Sequence, residues 1–384
     1  MRALFVCSKS RFKDLASVGG FVLALILLTG WGSTGHKIIN RGGAVELPPE
    51  MLGFIQRASM LADSASNADN RKSKDPSESP KHFIDIDDYP EFDSRSVPHS
   101  LDSLIQKYGS SRVTTDGLLP WATATAVDSL TAQMQRGDWN RVWSTAADLG
   151  HYVGDAHQPL HCAVNYDGQL TGNRGIHSRF ESTMVDQFQQ SISIHSGQVK
   201  YIDRPIDYVF EYIYQSNSYC DSIFRADNYA KQISGWSGSG TEPASYYTAL
   251  WSKTGGLTVG QMQNAADAFA NLLYSGWVRA GRPAIPTMTD VAFVAAGGRR
   301  FKLEGAYPNP CNPSTTISYI LPVEVKVSLK IFDIGGRLVV KLVDEPQAAG
   351  AHHVQWYSNV PTGTYFYVLS AGEFSETKKL MVLK

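Results

Sequence analysis

Cysteine is scarce in this sequence, and its spacing excludes a thiolate metal site. The cysteines are Cys7, Cys162, Cys220 and Cys311, and no two of them form a Cys-x-x-Cys pair. Zinc held by cysteine is therefore not expected. Cys162 and Cys220 would pair in an oxidising compartment if the fold brought them together, and the sequence leaves that open.

Excess charge of either sign is also lacking. The chain has 35 Lys and Arg against 36 Asp and Glu, a formal net charge of -1. Such a balance gives no general attraction to nucleic acid or to an anionic membrane, so either ligand would need a local site. The motif His-Glu-x-x-His is absent as well, which argues against a metalloprotease.

Long apolar runs are missing except near the start of the chain. Residues 21–28 are apolar, the small residues Thr29 and Gly30 follow, and the run is too short to span a bilayer comfortably. Basic residues precede the run: Arg2, Lys9, Arg11 and Lys13. This pattern predicts a signal peptide over residues 1–30 and an exported protein. The alternative is an uncleaved membrane anchor.

The remaining sequence predicts two folded units. From residue 31 to 284 the apolar spacing is helical, as in the segment 257–280. Proline and paired glycine then indicate a linker over 285–300. Beyond Phe301, alternation such as that of residues 325–331 predicts short strands. We therefore predict a mainly α catalytic domain (31–284) followed by a small all-β sandwich (301–384).

The residues best suited to chemistry cluster around one histidine-rich helix. His151 and Asp155 are four residues apart, so they share a helix face and can converge on one metal ion. Pro159 should end that helix and let His161 reach a neighbouring ion. His177 and Glu181 repeat the spacing of four. Each pair alone is weak, but their clustering in a chain of ten histidines favours a metal site, and imidazole with carboxylate suits zinc.

These motifs also resemble those of a known family. The matching segments are Trp31-Gly-x-x-Gly-His36, His82-Phe-Ile-Asp, the run Gly154–His161, and His177-x-x-x-Glu181. In order and spacing they resemble the superfamily of zinc-dependent phospholipases C and single-strand-specific zinc nucleases. The resemblance extends from Trp31 to about Trp277, and it implies a mostly helical fold with three zinc ions.

The resemblance also implies a ligand set for each ion. The first ion would be held by Asp69, His82, His151 and Asp155. The second would be held by the processed N-terminus at Trp31, by His36 and by Asp155 as a bridge, and the third by His161, His177 and Glu181. Asp69 would also orient the attacking water or act as a base. Asp63 is an alternative to Asp69, and His157 is expected to support the site rather than bind metal.

The C-terminal tail resembles the sorting domain of the type IX secretion system. The matching segments are 306–316, 363–367 and 376–384, with Cys311 standing where that family usually has phenylalanine. The resemblance implies passage across the outer membrane through that machinery, after which the tail is removed or serves as an anchor. No stable protein partner is implied beyond the secretion machinery.

These expectations combine into a secreted zinc-dependent phosphodiesterase acting on a phospholipid head group or on single-stranded nucleic acid. The segment from Gly175 to Glu181 looks more like the phospholipase C version of the motif, which ends in glutamate after a short insertion. This resemblance favours the phospholipase C type, with the single-strand-specific endonuclease as the alternative. A secreted metal-binding or adhesion protein without catalytic activity is the alternative of another class. Both enzymatic reactions attack a phosphodiester, so the ligand pattern does not distinguish them.

Overall fold

The computed structural model describes residues 31–195, 197–287, 301–321, 323–372 and 374–383. The predicted signal peptide, 1–30, lies outside the described residues, as does most of the predicted linker, 288–300. Within the described residues, no helix is long and apolar enough to cross a membrane.

Residues 31–287 form helices and connecting loops. The α-helices are α1 (Gly32–Glu46), α2 (Leu52–Ile55), α3 (Ala58–Asp63), α4 (Asn67–Arg71), α5 (Leu101–Tyr108), α6 (Ser110–Thr115), α7 (Leu119–Gln135), α8 (Trp139–His157), α9 (Ile176–Ser178), α10 (Val185–Phe188), α11 (Pro205–Asn217), α12 (Cys220–Ser234) and α13 (Ala244–Arg279). Short 3₁₀ turns include Ser79–His82 and Pro159–Cys162, and Arg179–Met184 is a π-helical turn.

Residues 122–153 contain no proline and lie within the part of the chain that has helical spacing, yet they are divided between two helices, α7 and α8. Gly137 adopts a left-handed φ of 69°, which a side chain would disfavour. Asp138 then caps α8 by accepting a hydrogen bond from the Arg141 backbone N–H at 3.4 Å. As predicted, Pro159 lies just beyond the last residue of α8, His157.

The core of the helical part is built around α13. This helix packs against α1, α7, α8 and α12. Its apolar residues Met262, Phe269 and Leu273 are fully buried, in agreement with the helical spacing read from the sequence. Because α1 and α8 both lie against α13, their facing side chains are held on a rigid base.

Residues 302–382 form strands with a hydrophobic cluster of their own. The strands are β1 (Lys302–Leu303), β2 (Ser314–Leu321), β3 (Val325–Asp333), β4 (Leu338–Gln347), β5 (Gly350–Tyr357), β6 (Gly363–Ala371) and β7 (Phe374–Val382). They pair antiparallel in two sheets, ordered β1-β2-β5 and β4-β3-β6-β7. Ile317, Leu329 and Tyr367 are buried between them. The predicted fold class, mainly α followed by an all-β sandwich, is confirmed.

Candidate metal centre

Asp155 lies at the middle of the site, and its two oxygens face different histidines. Oδ1 lies 3.3 Å from His36 Nε2, whereas Oδ2 lies 2.9 Å from His82 Nδ1. His151, one helical turn earlier on α8, places Nε2 3.2 Å from the same Oδ2. All four side chains are buried. A single carboxylate is thus positioned between two groups of imidazoles.

Helix α1 brings His36 against α8 through a close approach at Gly154, and Gly35 lets the Trp31 side chain lie against the first turn of α1. The His36 ring stacks on the His151 ring with centroids 3.9 Å apart. A Cβ on Gly154 would lie 2.8 Å from His36 Nδ1, and a Cβ on Gly35 would lie 2.6 Å from Trp31 Cβ. Only glycine allows these approaches, which explains the first glycine of the central motif and the second glycine of Trp31-Gly-x-x-Gly-His36.

Trp31 is fully buried at the start of α1. It has a left-handed backbone with φ 35°, its carbonyl accepts a hydrogen bond from Gly35 N–H at 3.0 Å, and its ring lies 5.7 Å from that of Phe180. The backbone at the predicted cleavage point is therefore held inside the fold, next in sequence to the helix that carries His36.

Asp69, rather than Asp63, reaches the cluster. Asp69 Oδ1 lies 3.6 Å from His151 Nε2 and 3.5 Å from His82 Nδ1. Asp63, by contrast, is exposed at the end of α3. The buried ammonium of Lys72 lies 2.7 Å from the same Asp69 oxygen.

A neighbouring group contains His161, His177 and Glu181. His161 Nε2 lies 3.1 Å from His177 Nε2, and Glu181 Oε2 lies 3.3 Å and 2.9 Å from these two nitrogens. Glu181 sits in the π-helical turn, a feature that often marks functional positions. Gln158 donates a hydrogen bond to Glu181 Oε2 at 2.8 Å, and its own oxygen accepts one from Leu160 N–H.

Backbone carbonyls fix the orientation of the histidines. The Nδ1 atoms of His151, His161 and His177 lie 2.7, 2.6 and 2.9 Å from the carbonyl oxygens of Ala65, His82 and Tyr166. A carbonyl oxygen can only accept, so each Nδ1 must carry the proton. In the neutral ring, Nε2 is then the acceptor atom that faces the cluster, which is the arrangement of metal-binding histidines.

The electrostatics of the cluster favour a positive charge. Burial disfavours the charged form of His151, but Asp155 and Asp69 outweigh it and raise the pKa to about 10. Burial, together with His151, lowers the pKa of His36. Although burial opposes ionisation of Asp155, His151 and His161 hold its pKa well below the usual value. The site thus favours ionised carboxylates and binds one proton where a cation would fit.

The donor set fits metal ions. Three groups have ligand atoms that converge closely: His36 with Asp69 and His151, His82 with His151 and Asp155, and His161 with His177 and Glu181. Several buried atoms have no hydrogen-bond partner within the part of the chain that the structure describes, namely both ring nitrogens of His36, Nε2 of His82 and Oδ1 of Asp155. Leaving such atoms unpaired is costly unless an ion completes the site.

Sequence reasoning missed the residues that support this cluster. Buried Glu78 lies 3.6 Å from His82 Nε2 and accepts hydrogen bonds from the Tyr152 hydroxyl at 2.5 Å and from Lys81 at 2.9 Å. Lys72 stands three residues after Asp69, a helical spacing that would have identified it. Glu78 and Gln158 become partners of the site only through the fold.

His157 belongs to another environment. Its ring stacks on Tyr212 with centroids 4.3 Å apart, its Nδ1 bonds to the Val153 carbonyl at 2.8 Å, and it is not part of any of the three groups. Cys162, Cys220 and Cys311 are buried and free among the described residues.

Two family models match this chain, one in each part. The family model for S1/P1 nuclease matches residues 31–186, and the model for a secretion system C-terminal sorting domain matches residues 305–383. No curated protein matches. Similar solved structures include the alpha-toxin of Clostridium perfringens from avian strain SWCP, with 9% identity over 92% of this chain and 98% of that chain at a TM-score of 0.38. The alpha toxin of Clostridium absonum gives 10% identity, 93% and 98% coverage, and a TM-score of 0.38.

The two family matches fall in different parts of the protein, one in the helical part and one in the strands. The sorting domain marks the chain for export across the outer membrane, as predicted from the tail. The other match contains the histidine and carboxylate cluster described above. Residues 31–186 therefore resemble the S1/P1 nuclease family, and the chain ends in a type IX secretion sorting domain.

Proposed function

We propose that this exported phosphodiesterase is zinc-dependent and hydrolyses single-stranded nucleic acid. The observation that carries the proposal is Asp155, whose two oxygens face different histidines, His36 at 3.3 Å and His82 at 2.9 Å. One carboxylate between two histidines suits a pair of close metal ions, the arrangement used for phosphodiester displacement. Ligands made only of imidazole, carboxylate and an amine favour zinc.

The ligand sets are those that the family resemblance implies. Asp69, His82, His151 and Asp155 would hold the first ion, and His161, His177 and Glu181 the third. His36 and Asp155 would hold the second ion together with the amine and carbonyl of a processed Trp31. A free α-amine has a pKa near 8, so binding metal at neutral pH requires the loss of only one weakly held proton.

The chain's own residues would then position the phosphodiester and water. Bound zinc would supply Lewis-acid polarisation of the phosphodiester and lower the pKa of an attacking water. Asp69 would orient that water and accept its proton. The Lys72 ammonium lies 2.7 Å from Asp69 Oδ1 and would also contact a phosphate oxygen.

Nucleic acid is proposed over phospholipid for two reasons. Every candidate ligand, from Trp31 to Glu181, lies within the S1/P1 nuclease match. In addition, Tyr166 is 38% exposed and its ring lies 6.0 Å from that of His177, so it offers an aromatic face beside the third group. Such a face suits stacking of an unpaired base. Phospholipase C activity, favoured by the sequence, remains the alternative, and Leu170, 70% exposed, would then contact lipid.

The test is a paired assay of the mature protein beginning at Trp31. We expect hydrolysis of single-stranded DNA, loss of activity with a chelator, recovery with zinc, and close to three zinc ions per chain by elemental analysis. Activity on phosphatidylcholine vesicles alone would establish the phospholipase alternative. One ion or none, with no activity on either substrate, would favour a metal-binding or adhesion protein.

The Tyr166→Ala variant separates the two substrates. Loss of a stacking surface should raise KM for single-stranded DNA about tenfold and leave hydrolysis of a small phosphodiester unchanged. Tyr229→Ala is the matched control, because Tyr229 is similarly exposed on α12. An effect of Leu170→Ser on vesicles, without any effect of Tyr166→Ala on DNA, would contradict the nucleic-acid assignment.

A further inference from the structure

A cavity of about 710 Å³ is lined by His157, two residues beyond Asp155 on α8. Two residues correspond to a rotation of about 200° around a helix, so this cavity and the metal centre lie on opposite faces of α8. Helices α11 and α13 and the segment 198–202 form the other walls. Its volume is in the range of small-molecule sites, which is about 300–1,000 Å³.

The floor of the cavity combines His157 and Tyr212, which are only 3% and 6% exposed. His157 Nδ1 must carry the proton, because it bonds to the Val153 carbonyl at 2.8 Å. Nε2 is therefore an acceptor. The Tyr212 hydroxyl is buried and has no hydrogen-bond partner within the described residues. A buried hydroxyl without a partner is costly, so a ligand that bonds to it would be favoured.

The floor carries no charge. No lysine, arginine or carboxylate side chain is part of this floor. His157 and Tyr212 together offer one acceptor and one hydroxyl on a stacked aromatic pair.

The rim is polar but balanced in charge. Arg95 and Lys200 stand there with Glu211 and Asp267, and the amides of Asn264 and Gln215 lie among them. Balanced charges do not select an ion, whereas amides and hydroxyls bind groups that both donate and accept hydrogen bonds. Tyr208, half-buried beside Tyr212 with ring centroids 5.4 Å apart, adds a further aromatic surface.

We propose that this cavity is a nucleoside-binding site distinct from the metal centre. An N–H of the base would donate to His157 Nε2, the Tyr212 hydroxyl would bond to a carbonyl or ring nitrogen of the base, and the ribose hydroxyls would meet the amides of the rim. If the proposed nuclease function holds, nucleotide fragments would be present near the protein, because degradation of nucleic acid releases them. The binding itself rests on the cavity alone.

Calorimetry with adenosine on the mature, metal-loaded protein tests the proposal. Tyr212→Phe removes one hydroxyl and should weaken adenosine binding about three- to tenfold. Gln215→Trp, at an exposed position of the rim, should block the cavity and abolish binding. Tyr214→Phe is the matched control: Tyr214 lies on the same helix and also has a buried hydroxyl without a hydrogen-bond partner, but it does not line the cavity. It should bind adenosine normally.

Asp155→Asn separates this proposal from the nuclease function. Adenosine should bind this variant as it binds the wild type, because the cavity does not include Asp155. A wild-type protein that binds no adenosine, equal losses in Tyr212→Phe and Tyr214→Phe, or binding of methyl glucoside in place of adenosine would each overturn the proposal. An absence of nuclease activity with adenosine binding intact would overturn only the proposed function.

Discussion

Helix α8 carries buried histidines on two faces, and their surroundings differ. Burial disfavours the charged form of both His151 and His157. At His151 the carboxylates of Asp155 and Asp69 outweigh that effect and raise the pKa to about 10, whereas at His157 burial alone lowers it to about 4. In both rings the Nδ1–H donates a hydrogen bond to a backbone carbonyl. The neighbouring carboxylates, rather than burial or tautomer, thus distinguish a candidate ligand from a structural histidine.

The largest expected effect is that of Asp155→Asn, which removes a negative charge from the face of α8 that carries His151 (the charged face). An amide offers one oxygen and no negative charge to two groups of imidazoles, so we expect loss of at least one ion and about a hundredfold or greater fall in turnover. Elemental analysis and kcat on the proposed substrate measure this. Asp128→Asn, an exposed carboxylate on α7, is the control and should leave both unchanged. Near-normal turnover in Asp155→Asn would argue against a bridging role.

A smaller loss is expected from Gln158→Leu. The amide of Gln158 holds Glu181 at 2.8 Å, and residues that orient ligands typically contribute about 10–100-fold to metal affinity. We expect the third ion to bind about tenfold more weakly, with the other ions unaffected. A competition titration with a zinc chelator measures this. Gln135→Leu, at an exposed position on α7, serves as the control, and an unchanged titration would assign Gln158 to the fold alone.

His157→Asn tests the face of α8 that carries His157 (the neutral face). The variant loses the ring that stacks on Tyr212 and the hydrogen bond to Val153, so the free energy of unfolding should fall by about 1–3 kcal/mol. Metal content should stay at the wild-type value. Chemical denaturation and elemental analysis check both. Loss of an ion would show that the two faces are not independent.

The smallest expected effect concerns Glu46 and Asp267, a carboxyl pair near the neutral face. Burial and Asp267 raise the pKa of Glu46 to about 8 from the ordinary 4.5. The folded chain therefore keeps a proton that the unfolded chain loses, and stability falls as pH rises from 4.5 to 8. Glu46→Gln should raise Tm by about 2 °C at pH 9 and leave it unchanged at pH 4. An equal gain at both pH values would contradict this account.

Much of the candidate site was predictable because its candidate ligands obey local rules. The spacing of four placed His151 and Asp155 on one face, and Pro159 ended the helix so that His161 turns toward His177. The family motif supplied His36 and His82, which are distant in sequence. The fold class was also predictable, because the spacing of apolar residues changes near residue 301.

The rest depends on tertiary contacts that have no sequence signal. Glu78 and Gln158 look like ordinary polar residues until the fold brings them to His82 and Glu181. The division between α7 and α8 depends on a left-handed glycine that a proline-free pattern does not reveal. His157 stands within the ligand motif, and only its packing against Tyr212 places it in a cavity instead of the metal centre.

The burial of Trp31 bears on when the metal centre becomes complete during export. Trp31 is enclosed by the fold at 0% exposure, at the point where the predicted signal peptide ends. If its amine binds metal, a chain still carrying that peptide has a peptide amide there and lacks a complete centre. Under the proposed nuclease function, the producing cell would then keep its own nucleic acid intact during synthesis, and the cleavage that accompanies export would complete the active site only outside the cytoplasm.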